Sequence, residues 1–278
     1  MSAVPNVKLN NGVEIPQLGF GVFQIPPKDT AEAVAEALRA GYRHIDTAQT
    51  YGNEKEAGQA IAQSGIDPAE VFVTSKLSNA KHDFGDALAA FDGTLAALGT
   101  ETIDLFLIHW PLPTVIDFVP TWRALERVYA EGRARAIGVS NFQEAHLRRL
   151  AAETEVIPAL NQIELHPYLS QPGMRAVDAE LGIATEAWSP IAQGAVLDDP
   201  VITRIAAAHG RTAAQVVLRW HIQLGNVVIP KSVTPARVAE NIDLFGFELS
   251  ADDMDQIAGL NQDKRIGPDP DVFAYVPG

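Results

Sequence analysis

Residues 18–41 read LGFGVFQIPPKDTAEAVAEALRAG and contain a strand-like run followed by a helix-like segment. The apolar run that opens this stretch is typical of a buried strand. Asp29, followed three residues later by Glu32, predicts a capped helix start, and an apolar stripe with helical spacing leads to Gly41, which predicts the helix end. The stretch therefore predicts one complete βα unit.

Similar apolar runs recur along the chain, and each is followed by a helical segment. The runs begin near Leu18, Arg43, Val71, Ile103, Ala134, Ala159, Ile183 and Val227. Their starts are 24 to 32 residues apart except for the last interval of 44, where we expect an extra segment. Runs such as 103–108 lack polar alternation, which indicates parallel strands covered on both faces. The sequence therefore predicts an α/β protein, a (β/α)8 TIM barrel that occupies residues 1–278 as a single domain.

The main alternative is an open, doubly wound parallel sheet. Such a sheet typically carries a Gly-x-Gly-x-x-Gly turn after its first strand, and no such turn follows any of the runs. The glycines at Gly19, Gly21 and Gly138 are better interpreted as places where backbone or cofactor must approach closely than as a phosphate loop.

The two ends of the chain carry additional elements. Asn11-Gly12, between two short apolar runs, predicts an N-terminal β-hairpin that plugs one end of the barrel. Ser250 with Asp253 predicts an extra C-terminal helix to about Gly259, and the residues after it read as an extended tail.

The composition excludes several classes of protein. With 47% hydrophobic and 20% charged residues the chain is typical of a globular protein, and its apolar runs are shorter than the roughly 18 residues of a membrane span. Residues 1–12 are polar, so we expect no secretory leader, and the absence of cysteine excludes disulfides. A net charge of -14 repels nucleic acid and anionic membranes. We therefore expect a cytoplasmic protein that acts on a small molecule.

Ionisable side chains end three consecutive predicted strands. Asp46 ends the second, Lys76 the third and His109 the fourth, while Tyr51 follows Asp46 by five residues. Active sites of α/β barrels lie at the carboxyl ends of the strands, and neighbouring strands are about 4.8 Å apart. We therefore expect these side chains to converge, although each alone could equally be a helix cap, a solvated lysine or a core histidine.

The combination has a chemical interpretation that the single residues lack. A lysine beside a tyrosine favours the phenolate and so lowers the tyrosine pKa from about 10, and an aspartate keeps that lysine charged and in place. We therefore expect Tyr51 to serve as a general acid near neutral pH, assisted by Lys76 and Asp46.

Several ordered motifs also resemble those of one enzyme family. They are GYRHIDTA at 41–48 followed by YGNE at 51–54, IGVSNF at 137–142, and IPKS at 229–232 with Arg237, Glu240 and Asn241. Strand ends at 104–111 (DLFLIHWP) and 161–167 (NQIELHP) look similar too. From Gly19 to Asn241 the chain resembles the aldo-keto reductase family, and it looks closest to the bacterial 2,5-diketo-D-gluconate reductase-like branch.

The resemblance implies an NADPH-dependent oxidoreductase, a monomer, that reduces small aldehydes, ketones or dicarbonyls such as diketogluconate- or methylglyoxal-like substrates. Tyr51 would donate the proton, Lys76 and Asp46 would tune it, and His109 would orient the carbonyl while hydride passes from the reduced nicotinamide. The cofactor residues implied are Gly21, Val22, Ser140, Asn141, Gln162, Trp188, Ser189, Lys231, Ser232, Val233, Arg237, Glu240 and Asn241.

Within that set the resemblance assigns two groups. Ser140, Asn141 and Gln162 would hold the nicotinamide carboxamide, with Trp188 stacked on the ring. Lys231, Ser232 and Arg237 would bind the adenosine 2′-phosphate at a helix start capped by Thr234, with Glu240 and Asn241 on the adenine, which favours NADPH over NADH. Positions 234 and 235 are Thr and Pro where relatives often have basic residues, so use of both cofactors stays open. A solvated helix start is the alternative for the basic cluster.

The expected substrate pocket is formed by Phe23, Ser78, Trp110 and the tail residue Phe273. Ser78 departs from the family pattern, because many relatives place tryptophan there. Glu164, His166 and His109 could suggest a metal site, but no acidic cluster completes it, so we expect no metal.

Two other functions stay open at this point. One is a nucleotide-sensing regulatory subunit, against which the intact Asp46, Tyr51, Lys76 and His109 argue. The other is a sugar-phosphate isomerase or aldolase on the same barrel, in which Lys76 would form a Schiff base.

Overall fold

The computed structural model describes residues 4–277, and its main sheet has eight parallel strands that pair in chain order. The strands of the chain are β1 Asn6–Lys8, β2 Glu14–Pro16, β3 Phe20–Gly21, β4 His44–Asp46, β5 Phe72–Leu77, β6 Ile103–Ile108, β7 Ala134–Ser140, β8 Leu160–Glu164, β9 Ala184–Trp188 and β10 Val227–Val228. A parallel bridge between Leu18 and Val228 brings the first and last strands of the sheet together. The predicted barrel is confirmed, and the open sheet is excluded.

Helices cover the outside of this sheet. They are α1 Pro27–Ala40, α2 Glu54–Gln63, α3 Phe84–Leu98, α4 Phe118–Ala130, α5 Glu144–Glu153, α6 Pro172–Glu180, α7 Pro200–His209, α8 Ala213–Gln223, α9 Pro235–Ile242 and α10 Ala251–Ala258. Short 3-10 helices lie at Gln49–Tyr51, Pro68–Glu70 and Ala192–Gly194. The longest interval contains two helices, α7 and α8, where a βα unit needs one, which accounts for the extra segment expected there. Among residues 4–277, no helix combines the length and apolarity needed to cross a bilayer.

The burial of β6 explains why the strands read as continuous apolar runs. Leu105 and Leu107 pack into the cluster inside the barrel, whereas Phe106 and Ile108 pack into the cluster between sheet and helices. Successive side chains point to opposite faces of a strand, and here both faces are removed from water. The same crowding requires glycine at Gly138, where a Cβ would lie 2.5 Å from the Leu160 carbonyl oxygen.

The N-terminal hairpin closes one end of the barrel, as predicted. Strand β1 pairs antiparallel with β2, and Gly12 takes a positive φ of 89° in the turn. Leu9 and Ile15 are buried against Phe72 and Val227, which lie at the amino ends of β5 and β10. The carboxyl ends of the strands, at the opposite side, are therefore left for a functional site.

The observed ends of helices α1 and α10 can be compared with the ends predicted from the sequence. Helix α1 ends at Gly41 with a left-handed φ of 107°, as predicted, but it begins at Pro27 and not after a cap at Asp29. Proline has no N–H to leave unpaired, so it suits the first helical position, and Asp29 lies within the first turn. The capping box of Ser250 with Asp253 is confirmed, since both of its hydrogen bonds form at the start of α10.

The C-terminal tail, residues 261–277, contains neither helix nor strand. It is attached to the barrel by Glu164, whose carboxylate accepts hydrogen bonds from the backbone N–H groups of Ile266 at 2.6 Å and Gly267 at 3.0 Å. The expectation of one domain over residues 1–278 stays a prediction, and it includes residues 1–3 and 278, which lie outside the described residues.

Candidate active site

The carboxyl ends of β4 and β5 bring an ion pair into the mouth of the barrel. Lys76 Nζ donates hydrogen bonds to both carboxylate oxygens of Asp46, at 2.7 and 2.8 Å, and to the Thr47 carbonyl oxygen at 2.9 Å. It also lies 3.4 Å from the hydroxyl of Tyr51, which ends the 3-10 helix after β4. The structure thus places Asp46, Lys76 and Tyr51 in one connected group.

Burial and charge set the protonation of this group. Burial acts to lower the pKa of Lys76, but Asp46, Tyr51 and Glu186 together outweigh burial and raise the net pKa, so the ammonium persists. Burial raises the pKa of Tyr51 above its usual value, and Lys76 offsets that effect only in part. The expectation that the pKa of Tyr51 is lowered overall is therefore wrong. The reason is that burial outweighs the field of Lys76, which Asp46 partly neutralises, and the hydroxyl stays protonated at neutral pH.

His109 follows β6 and packs edge-on against Tyr51, with ring centroids 5.7 Å apart. Its Nδ1 lies 3.3 Å from the Thr50 hydroxyl, and its carbonyl oxygen accepts a hydrogen bond from the Asn141 amide. Burial, together with the nearby Lys76 charge, lowers the pKa of His109 well below 6.5. The imidazole is therefore neutral near pH 7 and keeps one N–H for donation.

A second polar layer, formed by Gln162 and Glu186, lies directly beneath this group, and sequence reasoning missed Glu186. Gln162 on β8 donates one hydrogen bond to Asp46 Oδ2 at 2.8 Å and another to Glu186 Oε2, on β9, at 2.7 Å. Burial, followed by repulsion from Asp46, raises the pKa of Glu186 to about 8. The available signal was an acid inside the run 183–187, at a position that a barrel strand points into the interior.

This pKa leads to a prediction about stability. A folded pKa of about 8 against about 4.5 in the unfolded chain means that the folded state binds the extra proton, so stability falls as pH rises from 4.5 to 8. We expect the Glu186→Gln variant not to lose stability in this way, because glutamine does not titrate. Between pH 5 and pH 8 the melting temperature of the wild type should fall relative to that of the variant by at least about 4 °C.

Thermal unfolding of both proteins across this pH range measures the effect. The exposed Glu101, replaced in the same way, serves as the control and should keep a constant difference from the wild type. A constant difference for Glu186→Gln as well would show that Glu186 does not titrate in this range.

The residues expected near a nicotinamide lie around the same point. Trp188, at the end of β9, donates its indole N–H to Asn141 Oδ1 at 2.8 Å, and Ser140 donates its hydroxyl to the Gln162 carbonyl oxygen at 2.8 Å. Asn141 adopts a left-handed φ of 64° directly after β7. Ser189 follows with a φ of 47°.

Two other expected cofactor residues are placed less favourably. Val22 is buried, and both its backbone groups are used within the protein, by the Asp46 carbonyl and by the Asn53 amide. Gly21 is buried as well, and a Cβ on it would lie 3.2 Å from the Ile229 carbonyl oxygen. These contacts help to close the barrel, and cofactor binding at the two positions stays a prediction.

The expected phosphate residues follow β10 on the surface. Lys231, Val233 and Arg237 are exposed, and within residues 4–277 neither of the two cations forms an ion pair with a carboxylate. Thr234 is the N-cap residue of α9, as predicted, although its side chain makes no capping bond. Ser232 accepts a hydrogen bond from the Thr234 N–H at 3.1 Å. These two cations, without a carboxylate partner in the described part of the chain, form a basic patch beside a helix start in an acidic protein.

Glu240 and Asn241, the two residues expected at the adenine, are already engaged or buried within the protein. The Glu240 carboxylate accepts a hydrogen bond from the Thr212 hydroxyl at 2.7 Å, and Asn241 is buried. The structure therefore brings Glu240 near the basic patch with one carboxylate oxygen already engaged.

Aromatic side chains surround the mouth above Tyr51. Phe23 is 50% exposed and its ring centroid lies 5.0 Å from that of Tyr51. Trp110 stacks on the tail residue Phe273 with centroids 4.3 Å apart. Ser78, which follows β5, is half-buried and donates its backbone N–H to the Gln49 side chain. The tail thus contributes directly to the rim of the site.

Glu164 and His166, considered above for metal, form a pair at 2.9 Å, and Glu164 holds the tail as described. Within residues 4–277, no group of three or more His, Cys, Asp or Glu side chains could hold a metal ion. The pair therefore has a structural explanation, which is attachment of the tail over the barrel mouth.

Comparison with known proteins agrees with this geometry. Residues 17–262 match the model of the aldo/keto reductase family. The chain is 55% identical to an aldo-keto reductase of Mycolicibacterium smegmatis, 48% to glyoxal reductase of Bacillus subtilis and 46% to methylglyoxal reductase DkgA of Escherichia coli. The alignments cover 98%, 97% and 96% of this chain and 98%, 97% and 97% of those proteins.

A solved structure shares the fold over almost the entire length. It is an aldo-keto reductase of Bombyx mori in complex with NADP, with a TM-score of 0.91, 35% identity, and coverage of 98% of this chain and 97% of that one. The family model matches most of the chain, and relatives with about 50% sequence identity align over almost their full length. The chain therefore belongs to the aldo/keto reductase family.

Proposed function

We propose that the protein is an NADPH-dependent reductase of small aldehydes, ketones or dicarbonyls, in which Tyr51 donates the proton. The observation that carries the proposal is the buried Lys76–Asp46 ion pair beside a protonated Tyr51 at the barrel mouth. The names of two relatives, a glyoxal reductase and a methylglyoxal reductase, support dicarbonyls as the substrate class.

The residues fit such a cofactor at both ends. Lys231 and Arg237, which form no ion pair with any residue of 4–277, lie beside the start of α9 and suit the extra phosphate of NADPH, with Ser232 and Val233 between them. Ser140, Asn141, Gln162 and the face of Trp188 would hold the nicotinamide. When bound, NADPH supplies the hydride. The NADP complex of the Bombyx mori relative supports this assignment.

The chemistry of the protein groups follows from their protonation. Tyr51 is protonated and so can give its hydroxyl proton to the substrate oxygen as negative charge develops there. The Lys76 ammonium, 3.4 Å away, stabilises the phenolate that remains, and Asp46 keeps the ammonium in place. The neutral His109 would orient the carbonyl through its ring N–H. The aromatic rim and the tail would exclude water.

This protonation argues against the aldolase alternative. A Schiff base requires a neutral amine, and the raised pKa of Lys76 beside Asp46 disfavours it. Loss of NADPH absorbance with a panel of aldehydes, ketones and dicarbonyls tests the proposal directly. Turnover of at least one class would support it. The aldolase function would replace the proposed one if no carbonyl compound is turned over and borohydride traps a sugar phosphate on Lys76.

The physiological setting follows from the same proposal. We place the protein in the cytoplasm as a monomer that acts on a small-molecule carbonyl and binds neither nucleic acid nor membrane, in line with its net charge of -14. Light scattering of the purified protein measures its mass against the 29.9 kDa of one chain.

A substitution at Ser78 tests the shape of the pocket. An indole at this position would cover up to about 150 to 250 Å² of apolar area, and serine leaves that wall open. We expect Ser78→Trp to lower kcat/KM for a bulky aromatic aldehyde relative to a small dicarbonyl by about 5- to 30-fold, the effect of one or two kcal/mol of steric repulsion.

The comparison requires both substrates with both proteins. The half-buried Ala80, two residues further along, provides a control when it is replaced by tryptophan, since it is farther from Lys76 in the chain. A bulky-to-small ratio that changes less than twofold in Ser78→Trp would show that Ser78 does not shape the pocket.

A further inference from the structure

We propose that Glu186 is a positioning residue that accepts a hydrogen bond from the second N–H of the Gln162 amide. Gln162 can then interact with the cofactor only through its amide oxygen, which accepts a hydrogen bond. The site therefore selects a nicotinamide ring whose substituent can donate a hydrogen bond. This inference rests on the proposed function. It concerns a side chain that does not touch the reacting atoms.

The register of the barrel creates the contact. Gln162 on β8 and Glu186 on β9 are directly paired across neighbouring parallel strands, so their side chains point to the same face, into the barrel. Both are buried. The pairing is therefore fixed by the backbone and does not depend on a flexible loop.

The amide nitrogen of Gln162 is fully used. It carries two hydrogens, and these are donated to Asp46 Oδ2 at 2.8 Å and to Glu186 Oε2 at 2.7 Å. Turning the amide over would place its oxygen against the Asp46 carboxylate, which already accepts from Lys76, and two acceptors repel. Among residues 4–277, no donor reaches Gln162 Oε1. The amide oxygen is therefore the only group that Gln162 can offer to a ligand.

The surroundings of Glu186 favour a specific role over a general structural one. Within the described part of the chain, its side chain accepts one hydrogen bond, from Gln162, while its other oxygen has no partner. His44 Nε2 lies 3.8 Å away, and burial with the Lys76 charge lowers the pKa of His44 to about 3, so it supplies no positive charge. A buried acid with so little compensation is costly compared with an apolar residue.

The consequence for recognition follows from hydrogen-bond complementarity. A carboxamide on the nicotinamide ring carries an N–H that can donate to Gln162 Oε1. An acetyl group of the same shape has a methyl there, and it leaves the amide oxygen unpaired. Removing Glu186 would free one N–H of Gln162, which could then turn towards an acceptor on either ring.

The test compares the dissociation constants of NADP⁺ and its 3-acetylpyridine analogue, measured from quenching of tryptophan fluorescence. For the wild type we expect the analogue to bind about 3- to 12-fold more weakly, the effect of one neutral hydrogen bond. For Glu186→Leu the ratio should fall below about twofold. For Glu186→Gln, whose side-chain oxygen can still accept, the wild-type ratio should be retained. Intrinsic differences between the two rings cancel when ratios are compared.

The outcomes separate this inference from the proposed function. If Glu186→Leu weakens both cofactors equally and the ratio is unchanged, Glu186 is merely structural and the inference is overturned. A wild-type ratio near one overturns it even if the leucine variant does not fold. In both cases NADPH-dependent turnover by the wild type would still support the proposed function. If the wild type binds neither cofactor, the proposed function itself is refuted.

Discussion

Replacing Tyr51 by phenylalanine should lower kcat at least about 100-fold and leave the dissociation constant for NADPH nearly unchanged. The hydroxyl is protonated and lies 3.4 Å from the Lys76 ammonium, whereas the ring contributes only packing. Loss of a positioned general acid typically costs 100- to 10,000-fold, about two to four powers of ten in rate. Steady-state kinetics and fluorescence titration measure the two quantities separately.

The matched control is Tyr129→Phe, which removes a hydroxyl from a tyrosine on α4, away from the barrel mouth. It should leave both kcat and NADPH binding unchanged. Full activity in Tyr51→Phe would remove this residue from the mechanism. A loss of NADPH binding equal to the loss of kcat would instead give Tyr51 a role in cofactor binding.

The sequence was sufficient to predict features that depend on local spacing. Asp46 and Lys76 end neighbouring strands, and parallel strands bring their ends to one edge, so their contact follows from the chain order alone. The turn at Asn11-Gly12 and the helix end at Gly41 likewise need only the local preference of glycine for positive φ.

Features that depend on the balance of distant effects were not predictable. The contact between Glu186 and Gln162 depends on the register of β8 against β9, which no local pattern encodes. The direction of the Tyr51 pKa depends on how far burial exceeds the field of Lys76, and the sequence contains the charges but not the burial. Attachment of the tail to Glu164 joins residues about a hundred positions apart.

The start of α1 illustrates a different kind of error. Asp29 and Glu32 fit the capping pattern, yet Pro27 occupies the first helical position. Both signals were present in the sequence, and proline was the stronger because its φ is fixed at a helical value and it has no N–H to satisfy. A cap at Asp29 would have placed the first helical residue at Thr30, three residues after the observed start at Pro27.

Replacing Arg237 by alanine should weaken NADPH binding by about 1.5 to 3 kcal/mol, or roughly 10- to 150-fold, and scarcely affect NADH. The guanidinium is exposed beside the start of α9 and has no carboxylate partner within residues 4–277, so it is free to pair with a phosphate. NADH lacks the 2′-phosphate and therefore has nothing to lose from this change. Dissociation constants for both cofactors, measured at one ionic strength, give the two effects.

The difference between the effects on NADPH and NADH decides whether Arg237 recognises the phosphate, because a general loss of positive charge would weaken the binding of both cofactors. Arg123→Ala removes an exposed arginine from the same acidic protein outside the basic patch and should alter neither constant. Equal losses for NADPH and NADH in Arg237→Ala would show that this residue does not recognise the phosphate. Lys231 remains in the variant, so some preference for NADPH should survive, and only replacement of both cations should bring the two affinities together. If the single change already abolishes the preference, Arg237 is the sole determinant of cofactor choice.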